Sequence, residues 1–386
     1  MNFEKRNLFE SDIKRNAEKI NKKIENCSFL ILGGAGTIGT AVVKEVFLRK
    51  PSRLHVIDLS ENNLVELTRD IRSQYGFTYV DFKTFALNIE SLEFEKYFLE
   101  EEKFDFILNF TAIKHVRNEK DPFTLMRMIY TNVILVNKII NLAIKKGVNN
   151  FYSVSTDKVV NPVNLMGVTK NLMESVMLHS SNSICVTSSR FANVAYSDGS
   201  LLYSFSQRLN KRQPLVAPSD IKRYFVSKKE AGCLCLLSFT LGNNKDIFFP
   251  NCKLNLINLK DIAIDFLKSR RLNPLLCSSE QEARDYFKKN PNDNINWPCF
   301  FSKSDTTGEK HYEEFFSNED NIDLNRFNSV GALNMNSSKI NIDKLLNKLK
   351  KYRTKDKWVK TEIVQILSDF VKFDHFEKHK YLDSKM

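Results

Sequence analysis

The sequence predicts an α/β fold, namely a Rossmann-type doubly wound parallel sheet with a smaller C-terminal substrate-binding lobe. Three observations lead to this prediction. Short apolar runs alternate with segments of helical periodicity as far as Arg190, a glycine-rich turn follows the first run, and the alternation stops after Asn193. Strands that alternate with helices form parallel βαβ units with right-handed crossovers.

Each element is assigned from its periodicity and its end signals. Runs of five to seven residues rich in apolar side chains predict strands over 28–32, 53–58, 82–87, 104–109, 150–155 and 184–190. Apolar residues spaced three and four apart predict helices over 11–25, 40–49, 61–75, 123–146 and 165–179. The first helix carries its apolar stripe on Ile13, Ala17, Ile20 and Ile24. Gly147 directly follows the fourth and is a favourable residue for ending a helix.

These elements divide the chain into four parts. We expect an N-terminal helical extension over 1–27, a dinucleotide-binding domain over 28–195, a substrate-binding lobe over 196–335 that exchanges elements with that domain, and a Lys-rich helical tail over 336–386. A chain of 386 residues is long enough to bury a large core without disulfides.

Composition excludes several classes of protein. Hydrophobic residues make up 42% and charged residues 27%, which is globular and neither collagen-like nor disordered. We find no apolar run of about 18 residues and expect no membrane span. The seven cysteines are scattered without a zinc-ligand spacing, so a reduced, metal-free, cytoplasmic protein is expected. The net charge of +12 is spread along the chain, which favours a lysine-rich surface or an anionic small substrate over nucleic acid.

The turn after the first strand has the spacing of a dinucleotide-binding site. Gly33, Gly36 and Gly39 lie three residues apart between a predicted strand and a predicted helix. Glycines there permit a tight turn and a close approach of the backbone to a pyrophosphate at the helix N-terminus. Asp58 ends the second strand, where an acid binds the adenosine ribose. Its charge would repel a 2′-phosphate and favours NAD, although Ser60 leaves NADP open.

A second motif lies at the end of the strand over 150–155. Thr156, Asp157 and Lys158 follow it directly, at the sheet edge where open α/β folds bind ligands. Met166 and Lys170 lie four residues apart on the next helix and therefore share one face. A thioether cannot accept a proton, so Met166 offers no base.

Together these motifs resemble the nucleotide-sugar 4,6-dehydratases of the CapD polysaccharide-biosynthesis type, within the extended short-chain dehydrogenases. Members of that superfamily mostly carry tyrosine at the Met166 position, and methionine there resembles the UDP-N-acetylglucosamine 4,6-dehydratase branch. The resemblance covers about residues 28–315. The matching residues are 33–39, 112–116, 119, 122, 131–133, 155–158, 161–162, 166–167, 169–170, 190–194, 197, 199–200, 223–225, 308–310 and 313.

The resemblance implies an NAD(P)-dependent reaction that converts a hexose into its 4-keto-6-deoxy form with loss of water, in surface-glycan synthesis. It implies that Asp157 donates a proton to the C6 oxygen, that Lys158 removes the C5 proton, and that Thr156 binds the C4 oxygen. It also implies a homo-oligomer. The implied cofactor-binding residues are Gly33, Gly36, Thr37, Ile38, Gly39, Asp58, Asn88, Ala112 and Lys170. The implied substrate-binding residues are Lys114, Met166, Asn193, Ser200, Arg223 and Lys310.

This assignment places a demand on charge. Lys158 must be neutral to act as a base, so we expect burial or a nearby cation such as Lys170 to lower its pKa. Asp157 must carry a proton to act as an acid. A plain ion pair between these two neighbours is the structural alternative. Arg190 has two interpretations, a substrate ligand or a salt-bridge partner.

Other functions remain open at this point. One alternative is a nucleotide-sugar epimerase, which uses the same scaffold but needs no acid at C6. Another is a regulatory protein that binds NAD and catalyses no reaction. The sequence does not decide which group deprotonates the C4 hydroxyl, whether C5 is retained or inverted, or whether the nucleotide is UDP or GDP.

Overall fold

The strands that the structure describes form one large sheet and three small ones. The computed structural model describes residues 6–77, 79–251, 254–304, 310, 312–318, 320–335 and 340–373. Within these residues the strands are β1 (Ser28–Leu32), β2 (Arg53–Asp58), β3 (Asp81–Ala86), β4 (Phe106–Asn109), β5 (Asn150–Thr156), β6 (Cys185–Phe191), β7 (Asn193–Val194), β8 (Leu215–Pro218), β9 (Lys222–Arg223), β10 (Phe225–Val226), β11 (Asp246–Pro250), β12 (Ile257–Asn258), β13 (Asn273–Leu276), β14 (Asn296–Ser302), β15 (Ile322–Asp323) and β16 (Val330–Asn334).

Helices connect these strands and cover both faces of the large sheet. In the described part of the chain the α-helices are α1 (Glu10–Arg15), α2 (Ala17–Ile24), α3 (Thr37–Phe47), α4 (Glu61–Tyr75), α5 (Leu92–Glu100), α6 (Pro122–Ile129), α7 (Leu135–Lys145), α8 (Leu165–Ser180), α9 (Leu201–Asn210), α10 (Lys228–Leu241), α11 (Leu259–Lys268), α12 (Glu280–Lys289), α13 (Ile342–Arg353) and α14 (Lys360–Ser368). The sequence analysis missed α5, whose N-terminus is capped by the Ser91 hydroxyl.

The large sheet confirms the predicted doubly wound fold. Across the described residues its strand order is β15-β16-β11-β6-β5-β4-β1-β2-β3. The pairs from β3 to β11 are parallel, whereas β16 is antiparallel to both β11 and β15. The winding direction reverses beside β1, because β2 lies on one side of it and β4 on the other. Ligands bind beyond the carboxyl ends of the strands at such a reversal.

The predicted N-terminal helix over 11–25 is wrong in one respect, because it is broken at Asn16 into α1 and α2. The buried carboxylate of Asp12 accepts hydrogen bonds from the amides of Asn328 and Ser329, both at 2.8 Å. Ile20 and Ile24 are buried against the main domain, but Ala17 is exposed. The break lets the polar anchor and the apolar stripe both reach their partners.

The helix predicted over 123–146 contains a wide turn. A π-helical segment, Tyr130–Ile134, separates α6 from α7. The side chain of Asn132 in this turn donates to the Ile113 carbonyl at 2.9 Å and accepts from the Ile113 amide at 3.0 Å. It also donates to the Thr169 hydroxyl at 3.0 Å. The wide turn thereby ties the segment after β4 to α8.

The same long helix corrects the expectation that no segment is apolar enough to span a membrane. By length and composition, Pro122–Lys145 meets that criterion in the described chain. However, 67% of its most apolar window is buried inside the protein, as in a core helix. It is therefore weak evidence for a span.

The hydrophobic core lies in two layers, one on each face of the large sheet. One layer packs α6, α7 and α8 against the sheet and includes Leu345 of α13 and Ile363 of α14. The other packs α3, α4 and α10, together with Ile20 of the N-terminal extension. The described part of the C-terminal tail is thus helical and contributes to the main core. A third cluster holds the smaller lobe, built on β8, β13 and β14.

Candidate active site

The glycine turn lies at the carboxyl end of β1, between β1 and α3. Gly33 has a φ of +69°, and its amide donates to the Ile57 carbonyl at 2.8 Å. A Cβ at Gly33 would lie 2.8 Å from the Thr111 amide nitrogen, and one at Gly39 would collide with the Gly33 carbonyl oxygen. α3 begins at Thr37, so its free amides face the space above the turn. The turn can therefore admit a phosphate where side chains would block it.

Two adjoining cavities follow this edge of the sheet. Gly33, Gly36, Phe110 and Ala112 line both, and the volumes are about 390 Å³ and about 250 Å³. The larger cavity brings together most of the predicted site residues, namely Gly33, Gly36, Thr37, Ile38, Gly39, Ala112, Lys114, Thr156, Asp157, Lys158, Met166, Lys170, Asn193 and Ser200.

The smaller cavity is lined by the residues predicted to bind the adenosine part of the cofactor. Asp58 and Asn88 line it together with the two shared glycines. The Asp58 carboxylate accepts from the amides of Ala35 and Ser60, each at 3.0 Å, which fixes its orientation. A carboxylate has further lone pairs and can still accept from ribose hydroxyls. The bare glycine turn, the helix N-terminus and the oriented acid together fit a dinucleotide.

Three polar groups converge at the end of β5. The Thr156 hydroxyl donates to Asp157 Oδ1 at 2.9 Å, and Lys158 Nζ donates to the same oxygen at 3.0 Å. Asp157 is 2% exposed. The carboxylate of Glu313, from the segment after the lobe, lies 3.7 Å from Lys158 Nζ. The site thus places one ammonium between two carboxylates.

This arrangement overturns the expectation of a lowered pKa for Lys158. Burial by itself lowers the pKa of Lys158, but the charges of Asp157 and Glu313 outweigh burial and raise it. Lys158 is therefore a charged ion-pair partner in the ligand-free protein. Burial also raises the pKa of Glu313, although Lys158 opposes that effect.

The lysine with the lowered pKa is Lys170. Burial lowers its pKa to about 8, with Glu174 acting in the opposite direction. Its Nζ donates to the Val154 carbonyl at 2.9 Å and lies 3.4 Å from Met173 Sδ. Met166, one turn earlier on α8, is buried, and its amide donates to Glu119 Oε1 at 2.8 Å. The cavity thus has a thioether, which cannot accept a proton, beside Lys170.

Arg190 is a salt-bridge partner. Its guanidinium binds Glu174 through Nε at 3.1 Å and Nη2 at 2.8 Å, and Nη1 donates to the Phe315 carbonyl at 2.8 Å. Glu174 also accepts from the Ser155 hydroxyl at 2.6 Å. This network fixes α8, the end of β5 and the segment that carries Glu313 relative to one another.

Arg223 and Lys310 are the predicted substrate ligands that line neither cavity. Arg223 is buried, and its Nη1 donates to the Lys310 carbonyl at 2.9 Å. Lys310 Nζ donates to the Val160 carbonyl at 2.7 Å. Both side chains therefore donate to backbone carbonyl groups in this structure. Because neither residue lines either of the two cavities, the structure does not support their predicted contact with a diphosphate.

The lobe side of the larger cavity is formed by the loop before α9. Asp198 of this loop reaches the glycine side, where its carboxylate accepts from the Thr37 hydroxyl at 2.9 Å. The ring of His115 lies beneath Gly199, where a Cβ would approach it to 2.8 Å. Burial lowers the pKa of Lys114 nearby, and Asp198 opposes that effect. The loop thus closes one end of the cavity.

Sequence reasoning did not assign a role to Glu313 or Asp198. Glu313 belongs to the motif formed by 308–310 and 313, which is part of the family resemblance, and that motif was the available signal for it. Gly308 and Glu309 of the same motif lie outside the described residues. Asp198 lies between the matching residues Ser197 and Gly199, and their match was the available signal for it.

Comparison with known proteins gives a consistent family. A family model described as polysaccharide biosynthesis protein matches residues 29–334. A relative from Methanocaldococcus jannaschii, called an uncharacterized membrane protein, is 30% identical over 64% of this chain and 72% of its own length. The capsular polysaccharide biosynthesis protein CapD of Staphylococcus aureus is 28% identical over 64% of this chain. The chain spans only 44% of CapD.

Solved structures share the fold at low identity. Pen from Bacillus thuringiensis superposes with a TM-score of 0.65 at 20% identity, covering 85% of this chain and 98% of that one. DesIV, a dTDP-glucose 4,6-dehydratase from Streptomyces venezuelae solved with NAD, superposes with a TM-score of 0.58 at 16% identity and covers 84% of this chain and 97% of its own. These likenesses show that the chain shares the Rossmann-type α/β fold of those two proteins.

Proposed function

The chain belongs to the polysaccharide biosynthesis protein family, and we propose that it is a nucleotide-sugar-modifying enzyme, specifically a 4,6-dehydratase. Its proposed substrate is a nucleotide-activated N-acetylhexosamine, UDP-N-acetylglucosamine, and its product is the 4-keto-6-deoxy sugar nucleotide. The observation that carries the proposal is the placement of Thr156, Asp157 and Lys158 in the cavity that also contains the glycine turn.

The proposed cofactor is a nicotinamide dinucleotide, with NAD favoured by Asp58. Gly33, Gly36 and Gly39 would hold its pyrophosphate at the start of α3, and Asp58 its adenosine ribose. When bound, the cofactor would supply an acceptor for the hydride from C4 of the hexose and a donor of that hydride to C6. Lys170, whose ammonium lies buried beside the Val154 carbonyl, would bind the nicotinamide ribose.

The proton chemistry falls to the residues at the end of β5. Because Met166 offers no base, the proton of the C4 hydroxyl passes to Thr156 Oγ1, which already donates to Asp157 Oδ1. Asp157 then carries the proton that the departing C6 oxygen needs. Lys158 lies beside it and takes the C5 proton, which the C4 ketone has made acidic.

A nucleotide-sugar epimerase is the second candidate. UDP-glucose 4-epimerase of Rickettsia rickettsii is 28% identical over 68% of this chain and 82% of its own length. An epimerase exchanges the configuration at C4 without an acid at C6. It would leave the buried pair of Asp157 and Lys158 without a chemical role, so we favour the dehydratase.

Incubation with UDP-N-acetylglucosamine in D2O separates these candidates. A dehydratase product has lost one water and carries deuterium at C5, an epimerase product retains the substrate's composition, and a non-catalytic protein yields no product. We expect Asp157→Asn and Lys158→Ala each to abolish water loss. Asp356→Asn and Lys357→Ala make the same chemical changes at exposed sites and are the matched controls. Wild-type rates in the first two variants would refute the proposed roles.

A further inference from the structure

Glu313 is a buried carboxylate that the proposed reaction has not yet used. Its side chain is 3% exposed, and Oε1 lies 3.7 Å from Lys158 Nζ. Within the described chain, Oε2 has no hydrogen-bond partner. A buried, incompletely satisfied carboxylate is destabilising, so its retention beside an ammonium requires a reason.

The position of Glu313 is fixed from both sides. Two residues after it, the Phe315 carbonyl accepts from Arg190 at 2.8 Å. Three residues before it, the Lys310 carbonyl accepts from Arg223 at 2.9 Å, and Lys310 Nζ donates to the Val160 carbonyl at 2.7 Å. These contacts hold the segment against the end of β5. The approach of Glu313 to Lys158 is therefore a consequence of buried polar anchors.

The protonation states of Lys158 and Asp157 leave one proton transfer in the proposed reaction without an acceptor, and Glu313 can supply it. Lys158 is an ammonium in the ligand-free protein, yet it must be a neutral amine to take the C5 proton. Asp157 cannot accept the proton of the Lys158 ammonium, because in the proposed reaction Asp157 receives the C4 hydroxyl proton through Thr156. Glu313 is then the adjacent carboxylate that still lacks a proton.

We propose that Glu313 is the proton acceptor that discharges Lys158. A proton moves from Lys158 Nζ to Glu313 Oε1, which leaves the lone pair on Nζ for the C5 proton. The inference rests on the proposed function and assigns Glu313 a positioning role, since it acts through Lys158 and not on the sugar.

The proton balance closes over one turnover. Lys158 gains the C5 proton as the C6 oxygen leaves with the proton of Asp157, and its ammonium later gives one of its three protons, two of which exchange with solvent beforehand, to C5. Glu313 then gives its proton back to Lys158, which restores one ammonium and two carboxylates. Nothing is consumed from solvent in this sequence.

The charged surroundings are compatible with that exchange. In the part of the chain that the structure describes, the charged groups whose fields act on Glu313 are Lys158, Asp157, Arg223 and Lys310. Burial raises the pKa of Glu313, which makes its carboxylate a better proton acceptor than an exposed one. Once Asp157 is protonated, Lys158 loses one of its two stabilising anions, which favours proton transfer to Glu313.

The test compares Glu313→Gln with Glu313→Asp and with Glu314→Gln, a change at the exposed neighbouring residue. In Glu313→Gln we expect water loss at neutral pH to fall by about tenfold or more and to recover as pH rises, because solvent must then accept the Lys158 proton. Glu313→Asp should restore part of the rate, and Glu314→Gln should match the wild type at every pH. Formation of reduced nicotinamide from substrate, which precedes the Lys158 step, should persist in Glu313→Gln.

A second readout does not depend on turnover. Competitive acylation of Lys158, followed by mass spectrometry across a pH series, reports the pKa of this amine in the resting protein. We expect the pKa in Glu313→Gln to lie below that of the wild type, since one stabilising anion is gone. An unchanged acylation profile together with a pH–rate profile parallel to that of the wild type would overturn the inference. Absence of water loss in the wild type would instead refute the proposed function.

Discussion

The buried ammonium of Lys170 destabilises the folded protein at neutral pH, so Lys170→Met is expected to stabilise it. The side chain is 3% exposed, and burial lowers its pKa from 10.5 to about 8. One pKa unit corresponds to about 1.4 kcal/mol, so the shift represents about 3 kcal/mol. Methionine leaves the Val154 carbonyl without its hydrogen bond, which costs about 1 kcal/mol. The expected net gain is about 2 kcal/mol.

The sign of this effect changes with pH. Below the folded-state pKa of about 8, both folded and unfolded chains hold the Lys170 proton, and the folded state bears the full penalty. Between that value and 10.5, the unfolded chain still binds the proton that the folded chain has released, so wild-type stability rises with pH. The advantage of Lys170→Met should therefore shrink through this range.

Urea denaturation of both proteins at neutral and at alkaline pH measures this difference. Lys344→Met, which removes an exposed lysine from α13, is the control and should change little at either pH. If Lys170→Met were less stable than the wild type at neutral pH, the reasoning from burial would be refuted. If the Lys170→Met variant also loses turnover, Lys170 is a residue that is needed for activity at a cost in stability.

Three further predictions concern the cofactor side and the core. Gly39→Ala should destabilise the protein by about 1–3 kcal/mol in a thermal melt, because its Cβ meets backbone, whereas Gly36→Ala has a nearest contact of 3.5 Å and should melt near the wild type. Arg190→Met should lose about 3–5 kcal/mol in urea titration because it leaves Glu174 buried and uncompensated, and adding Glu174→Leu should restore most of that loss. Asp58→Asn should narrow the preference for NAD over NADP in equilibrium binding, and an unchanged ratio would contradict the assigned repulsion.

The parts of the fold that the sequence predicts are those whose signals are local. The strand over 28–32 is a continuous apolar run that ends in glycines, and β1 has those bounds. The helix over 61–75 begins after Ser60, whose hydroxyl caps it. Both the residue pattern and its boundary signal lie within a few positions of the element, so no tertiary information is needed.

The parts that the sequence does not predict depend on distant contacts. The break at Asn16 follows from the bond between Asp12 and the amides of 328–329. The charge of Lys158 depends on Asp157, its neighbour in the chain, and on Glu313, which returns to β5 only after the whole lobe. The ion pair with Asp157 was an alternative that the sequence offered, but the degree of burial and the approach of Glu313 cannot be read from the neighbours of Lys158 in the chain.

The wide turn at Tyr130–Ile134 makes one side of the site more firmly held than another. Asn132 holds Ile113 through both backbone groups and reaches Thr169 as well, so the sheet-side wall is braced in two directions. The opposite rim is joined to the glycine side through the exposed bond between Thr37 and Asp198. If the site adjusts to a bulky ligand, we expect the bond between Thr37 and Asp198 to change before the contacts of Asn132 do.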